Sequence, residues 1–589
     1  MPCRPLVPEP ARIVRVITPQ TLAPLQPHQT MIGLGLGDAF NGVDFLPAQT
    51  ATLRDGTKLV ADVYRPKGTG PWPVLLMRQP YGRDIASTVV YAHPTWWARK
   101  GFMVVIQDVR GRGDSSGDFY PFRHESDDGY DSVMWAAGLP GSNGRVGMYG
   151  FSYQGSTQLL AALAKPAPLR ALAPHMTAFD LYSGWFYRNG ILQLSTTLAW
   201  TNQMLREDAR RRGSANSDAL DESYLASGQL SNQFPLNEAR PITSDDLPGY
   251  GRDWLQHPYY NHYWEEFDLL RRVSEMDLPM FHLSGWYDFY LRGSVAGYEA
   301  MARQHANQFL LAGPWQHLPW GNLVGGSDLG PAAIPEVDEL MARWFHHWLD
   351  HETPPNEAPL RGCRYFVLGE KRWRESTRWP PPEAKSETWF LRSQGKANSR
   401  FGDGELSRQG ASGPEDLYNY DPEVPVLAPG GNFAGSAAFG PHDLAEQQQA
   451  LNLLVYTSPP LDTPVVVAGP PRVRLFLRSS APQTHVVARL SRVTADGRAV
   501  FLCLGAVPVE AERGAVAEVP LDPIAASFLA GDRIRLDVAS SAFPLLVRHP
   551  NTTTDPAAVR RPAEFRRALQ VVYHDTERPS QLHLPVFNA

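Results

Sequence analysis

Hydrophobic residues in the first half of the chain come in short unbroken runs, each ending in a polar, glycine-bearing loop. Val74 to Met77 leads into Arg78-Gln79-Pro80-Tyr81-Gly82, Phe102 to Ile106 into Asp108-Val109-Arg110-Gly111-Arg112-Gly113, and Val146 to Tyr149 into Gly150-Phe151-Ser152. Segments of helical spacing, around Trp96 to Lys100 and Asp127 to Ala137, lie between them. Strands that are apolar throughout, rather than alternately, must be covered on both faces, so the pattern predicts a parallel α/β sheet flanked by helices. Ligands of such sheets sit at the carboxyl ends of the strands. Ahead of this rhythm, a β-branched stretch from Ala51 to Tyr64 is broken by Arg54-Asp55-Gly56-Thr57. That is a hairpin signal and predicts an opening β-meander.

The rhythm stops from about Ala178 to Leu270, where aromatic and polar residues mix and Ile191 to Arg211 reads as a helix. This predicts a helical insertion folding over the strand ends as a cap. The strands resume with Pro279-Met280-Phe281-His282-Leu283, which leads into Ser284-Gly285-Trp286-Tyr287-Asp288. Phe309-Leu310-Leu311 then leads into Ala312-Gly313-Pro314-Trp315-Gln316-His317. After a helix from Val337 to Asp350, Pro354 and Pro355 mark a boundary. Beyond it come many short β runs divided by Gly, Pro and Asp turns, among them Glu387 to Arg392, Val473 to Arg478, His485 to Val493, Val500 to Val507 and Arg533 to Ser540. That spacing predicts an all-β jelly roll. The expected plan is an irregular leader (1–45), an α/β domain in two pieces (46–177 and 271–353), a cap insertion (178–270) and a C-terminal jelly roll (354–589).

Length fits this division, since 589 residues exceed one hydrophobic core. With 20% charged residues and a formal charge of −6, the chain carries neither a nucleic-acid nor a membrane-surface footprint. Cys3, Cys363 and Cys503 are too few and too far apart for a disulfide framework or a zinc site. The proline-rich start has no apolar core of a signal peptide, and no apolar run is long enough to span a membrane, so a cytoplasmic location is expected. The pattern leaves self-association into a homo-oligomer open.

Ser152 stands where a strand gives way to the small-residue helical segment after it, a turn that would lift its hydroxyl above the sheet beside unpaired helix N–H groups. The G-x-S-x-G pattern is incomplete: Gln154 holds the place of the second glycine and Gly155 follows it. Alone, Ser152 reads equally as a turn serine, Asp288 as an N-cap and His317 as a loop histidine. Together they follow the order Ser, Asp, His at the ends of successive strands, the arrangement of a nucleophile, an orienting acid and a base. Gly111-Arg112-Gly113 is not a dinucleotide loop, because the third glycine is displaced to Gly117 and Pro121 follows. His347 and His351 have the spacing of a metal pair, but no Glu stands beside His347 to complete H-E-x-x-H, and with the apolar stripe of Trp344, Phe345 and Trp348 they read as surface or packing residues. No cofactor or metal is expected.

The blocks Gly147 to Gly155, Gly285-Trp286-Tyr287-Asp288 and Gly313-Pro314-Trp315-Gln316-His317 resemble the catalytic blocks of the cocaine-esterase-like acyl hydrolases. That group also holds the Xaa-Pro dipeptidyl peptidases, glutaryl acylases and α-amino-acid ester hydrolases. Asp108 to Gly117, Tyr418 to Pro422, Tyr456 to Leu461, Gly531 to Arg535 and Ser540 to Pro544 carry the likeness on through the chain, and the late Gly155 is normal in the group. The resemblance implies an α/β-hydrolase domain with a cap and a jelly roll, acting on a small ester or amide. It implies Ser152 as nucleophile, His317 as base, Asp288 as its orienting acid, and an oxyanion site made of the Tyr81 hydroxyl and the Tyr153 N–H. Trp185 resembles the cap tryptophan that lines the acyl pocket, and Phe289 fits the same wall. Because Phe289, Tyr290 and Leu291 follow Asp288 where the amino-ester hydrolases carry acidic residues, the expected acyl group is apolar or aromatic. Xaa-Pro dipeptidyl peptidase or acylase activity is the alternative on this scaffold, and a catalytically silent binding protein the alternative of a different class.

Overall fold

The computed structural model describes residues 41–84, 86–225, 231–350, 358–410, 412–428 and 439–587. The leader up to residue 40, with its glycine run and Cys3, lies outside the described residues, as do His351 and the Pro354-Pro355 boundary.

A ten-stranded sheet organises the first half. Its strands are β1 (Val43–Thr52), β2 (Lys58–Pro66), β3 (Trp72–Gln79), β4 (Met103–Asp108), β5 (Ser142–Phe151), β6 (Leu169–His175), β7 (Met280–Tyr287), β8 (Gln308–Gln316), β9 (Gly362–Val367) and β10 (Arg372–Ser376). They lie in the order β1-β2-β4-β3-β5-β6-β7-β8-β9-β10. β1 and β2 form the antiparallel hairpin announced by Asp55-Gly56, closed by Gly56 N–H donating to the Leu53 carbonyl at 2.9 Å. From β4 to β9 neighbouring strands are parallel. β9 and β10 carry the sheet past residue 354, so the hydrolase sheet draws its last two strands from the region expected to be jelly roll.

The unbroken apolar strands serve two cores, because successive side chains point to opposite faces. Val74 and Leu76 face a core shared with α2 (Glu125–Ala137), α3 (Tyr153–Leu163) and α5 (Leu291–Gln304). Leu75 and Met77 face a second core filled by α1 (Pro94–Arg99) and α6 (Val337–Leu349). His347 sits on α6 beside the Trp348 ring, 4.7 Å between centroids, a packing position.

The cap is built around α4 (Leu194–Arg212), with shorter helices at Ser217–Leu225, Tyr250–Gln256 and His262–Glu265. The expected helix from Ile191 starts later. Tyr187–Arg188 and Ile191–Leu192 pair instead as a tight hairpin, because Asn189 and Gly190 both take positive φ (48° and 87°), the backbone of a two-residue hairpin turn. Arg112 latches the loop after β4 to the cap: its buried guanidinium donates twice to Asp208 on α4, both at 2.9 Å, and stacks 3.7 Å from the Phe119 ring. The Gly111-Arg112-Gly113 stretch therefore serves packing.

The C-terminal half is all-β, thirteen strands in one largely antiparallel hydrogen-bonded network. It grips the cap through the buried Arg188–Asp522 ion pair at 2.5 Å and Asn189 Nδ2 donating to the Ala506 carbonyl at 2.8 Å. It grips the hydrolase sheet through Tyr287 Oη donating to the Phe501 carbonyl at 3.2 Å. No helix among the described residues is long and apolar enough to cross a membrane.

Candidate active site

Ser152 occupies the turn between β5 and α3 with φ 60° and ψ −129°, a conformation a side-chain-bearing residue adopts at a cost of about 1–3 kcal/mol. The surroundings hold it there. Ser152 N–H donates to the His175 carbonyl at 2.9 Å, and the Gln158 amide bridges Gly150, Gln154 and Ala173 with four hydrogen bonds of 3.0–3.1 Å. Gly155 must lack a side chain, since a Cβ there would lie 2.7 Å from Thr177 Cγ2 and 3.2 Å from the His175 carbonyl oxygen. The glycine that breaks the simple motif is thus fixed by the crossing of α3 over the end of β6.

Tyr153 opens α3 with its ring wholly buried. Its hydroxyl donates to Glu125 at 2.7 Å and accepts from Phe122 N–H at 3.0 Å, while Glu125 pairs with Arg78 at 2.6 Å. These bonds anchor the side chain inward, and the Tyr153 N–H lies in the unpaired first turn of the helix.

Asp288 and His317 leave the ends of the adjacent strands β7 and β8, where Gly285 and Gly313 are direct partners in the ladder. A Cβ on Gly285 would fall 2.2 Å from the Trp315 carbonyl, so only glycine lets the two strand ends close to this distance. The result is a hydrogen bond of 2.9 Å between His317 Nδ1 and Asp288 Oδ1, with the Asp288 side chain fully buried. The imidazole lies in an aromatic box: the Phe289, Tyr290 and Phe151 rings stand 4.6, 5.1 and 5.3 Å from it, centroid to centroid. Phe151 precedes Ser152, so the same contact sets the elbow beside His317.

Tyr81 reaches the site from the turn after β3. Its N–H donates to the Gln79 side chain at 2.9 Å, and Gln79 in turn donates to Asp108 at 3.2 Å. Burial pushes the Tyr81 hydroxyl up to about 12, against the opposing pull of hydrogen bonds with Trp200 and Ser152. The Trp200 indole N–H donates to the Tyr81 oxygen at 3.1 Å. That bond fixes the phenol oxygen between the cap and the turn after β3.

Trp185, 2% exposed, stacks on Tyr290 at 4.0 Å. Tyr290 also meets Phe289 edge-on at 4.6 Å, so it joins the two residues expected on the acyl wall. The structure thus brings Ser152, Tyr81, Asp288 and His317 to one end of the sheet and places Trp185 and Phe289 around it. Two residues were not legible as members of this group: Trp200, one cap aromatic among many, and Tyr290, visible only as an apolar neighbour of Asp288. Among the described residues, no group of three or more His, Cys, Asp or Glu side chains could hold a metal ion.

Residues 55–319 match the X-Pro dipeptidyl-peptidase (S15) family, and residues 357–583 match the X-Pro dipeptidyl-peptidase C-terminal non-catalytic domain. Cocaine esterase from Rhodococcus sp. is 33% identical over 564 residues, covering 91% of this chain and 97% of that protein. The chain belongs to the S15 family. It is a serine hydrolase of the ester-hydrolysing kind found in that family. Solved S15-like structures share the fold across both halves. A crystallised α-amino acid ester hydrolase superposes with a TM-score of 0.76 at 23% identity, covering 93% of this chain and 97% of that one. An aminopeptidase from a marine-sediment Thaumarchaeota archaeon gives 0.76 at 21% identity, covering 97% and 99%.

Proposed function

We propose that this S15 hydrolase cleaves carboxylic esters with an apolar or aromatic acyl group through Ser152, His317 and Asp288. The observation that carries the reading is the convergence of three geometries: a strained serine at a helix N-terminus, a histidine whose Nδ1 is bonded to a buried carboxylate, and a tyrosine hydroxyl held by the Trp200 N–H at the same end of the sheet.

Ser152 Oγ attacks the acyl carbon while its proton passes to His317 Nε2, and Asp288 holds the imidazole in the tautomer that leaves Nε2 free to accept. The tetrahedral oxyanion receives hydrogen bonds from the Tyr81 hydroxyl and the Tyr153 N–H, both in place before charge develops. The intermediate collapses as His317 returns the proton to the departing alkoxide, leaving an acyl-serine. Water then adds with His317 again as base, and the carboxylic acid leaves as Ser152 regains its proton.

The rings of Phe289, Tyr290 and Trp185 supply an apolar surface beside the base with no carboxylate among them, which favours a benzoyl-like acyl group over an α-ammonium one. The test pairs fluorophosphonate labelling of Ser152 with a substrate panel: benzoyl and graded alkanoyl p-nitrophenyl esters, phenylglycine esters and glycyl-prolyl p-nitroanilide. Labelling confined to Ser152, with benzoyl esters turned over fastest, is expected. Faster cleavage of the glycyl-prolyl anilide would replace the esterase reading with the dipeptidyl-peptidase one.

A further inference from the structure

A cavity of about 360 Å³ lies at the seam where the Tyr187–Leu192 hairpin of the cap meets the β domain. Ser152, Asp288, His317 and Tyr81 do not line it. Its volume is within the range of small-molecule sites, roughly 300–1,000 Å³. Its floor is apolar, with Ile191, Leu192, Pro258, Pro508 and Val547. Its charge is one-sided: Asp555 and Glu510 line it, and no Lys or Arg among the described residues does.

Asp555 is the central group. One carboxylate oxygen accepts from the Ala557 N–H at 2.7 Å, and among the described residues no side chain donates to the other. The nearby phenols turn their protons elsewhere, Tyr182 to the Pro258 carbonyl and Tyr187 to the Trp254 carbonyl, each at 2.8 Å. Burial raises the Asp555 carboxyl, and no neighbouring cation opposes that rise. The two histidines at the rear, His485 and His549, pack edge to face at 4.6 Å. Burial lowers both, His549 to about 4, so neither brings positive charge at neutral pH. The Tyr259 ring, 69% exposed, stands at the mouth. A carboxylate short of donors, an accessible aromatic ring and an apolar floor form the receptor that an organic ammonium requires.

We infer that this cavity is a second binding site, separate from the hydrolytic one, for a primary ammonium ion carrying a small apolar or aromatic body. The ammonium would donate to Asp555 and lie against the Tyr259 ring, with the body on Ile191, Leu192 and Val547. Because the walls come from both the cap and the β domain, occupancy would tie the two together.

Calorimetric titration of the full chain with benzylammonium, and with uncharged benzyl alcohol as its isostere, tests the site. Benzylammonium is expected to bind and to raise Tm, with benzyl alcohol at least about tenfold weaker. Asp555→Asn keeps the acceptor for Ala557 N–H and removes only the charge, so it should fold normally and weaken benzylammonium roughly tenfold or more. Tyr259→Ala, at an exposed position, should weaken it by a smaller factor. Equal binding of the two probes, wild-type affinity in both variants, or no binding at millimolar benzylammonium would each overturn the inference.

Discussion

Two buried groups of serine, histidine and aspartate stand among the described residues, and they are wired differently. In the hydrolase sheet, His317 meets Asp288 through Nδ1, and its ring lies beside Phe151, the residue before Ser152. In the β domain, His574 meets Asp416 through Nε2 at 3.0 Å, and the same nitrogen lies 3.1 Å from Ser393 Oγ. A carboxylate facing Nε2 keeps the proton there, so His574 cannot accept one from the serine. The Ser393 hydroxyl already donates to Asp416 at 2.7 Å, and Tyr456 donates to the same oxygen at 2.8 Å. Ser393 lies past a strand end, without a strained turn or helix N–H groups before it. On the proposed reading the first group would pass a proton; the second spends its donors on one carboxylate and acts as a polar rivet between strands. Residue type and proximity do not make a triad. The identity of the bonded imidazole nitrogen decides whether the other one is left to accept a proton.

That contrast is broken most directly by removing each serine. Ser152→Ala should lower ester hydrolysis about 10⁴–10⁶-fold and abolish fluorophosphonate labelling, with little change in Tm. Ser393→Ala should leave steady-state rates and labelling as in the wild type while costing about 1–2 kcal/mol of stability, read from denaturant unfolding. Residual labelling in Ser152→Ala that vanishes in the double variant would show the two groups to be functionally alike. The aspartates sharpen the same point. Asp288→Asn should cut kcat about 10⁴-fold by favouring the wrong tautomer, as read in benzoyl-ester turnover. Asp416→Asn should alter unfolding alone.

How much of this was legible in the chain follows from the range of the interactions. Ser152, Asp288 and His317 each end an apolar run, and the glycines that bring them together stand within the same short blocks, so local pattern sufficed. The two cores of the hydrolase sheet were likewise written in its unbroken strands. The last two strands were not: β9 and β10 have the short β signature of the C-terminal half, and only the long-range pairing of β8 with β9, which β10 extends, assigns them to the first sheet. The start of α4 was obscured because Ile191 and Leu192 fit a helical apolar stripe, while the Asn189-Gly190 turn decides for a hairpin. His574 and Asp416 are 158 residues apart on strands with no motif between them, and no periodicity could have paired them.

The proposed oxyanion arm, Tyr81 with the Tyr153 N–H, would separate the two groups again. Tyr81→Phe should lower kcat about 10²–10³-fold while changing KM little, since the donor acts on charge that appears in the transition state. Trp200→Phe removes the N–H that fixes the Tyr81 oxygen but keeps an aromatic ring in the cap. A fall in kcat of about threefold to tenfold is expected, the size of one neutral hydrogen bond. The decrease should disappear when Trp200→Phe is combined with Tyr81→Phe; additive losses would mean that Trp200 acts through packing instead.

The smallest effect lies in the rivet's response to acid. Burial alone would raise the Asp416 carboxyl, but hydrogen bonds from His574, the Ala397 N–H, Ser393 and Tyr456 together outweigh it and hold the group below its ordinary value. A carboxylate lowered in the folded state adds stability that is complete above its unfolded pKa, near ~3.9, and is lost as pH falls through the lower folded value. Wild-type stability should therefore decline more steeply below about pH 4 than that of Asp416→Asn, which has no carboxylate to protonate, and the two unfolding curves should draw together there. Parallel curves across that window would mean that the four donors do not favour the ionised form, and the description of this cluster as a rivet held by its charge would fail.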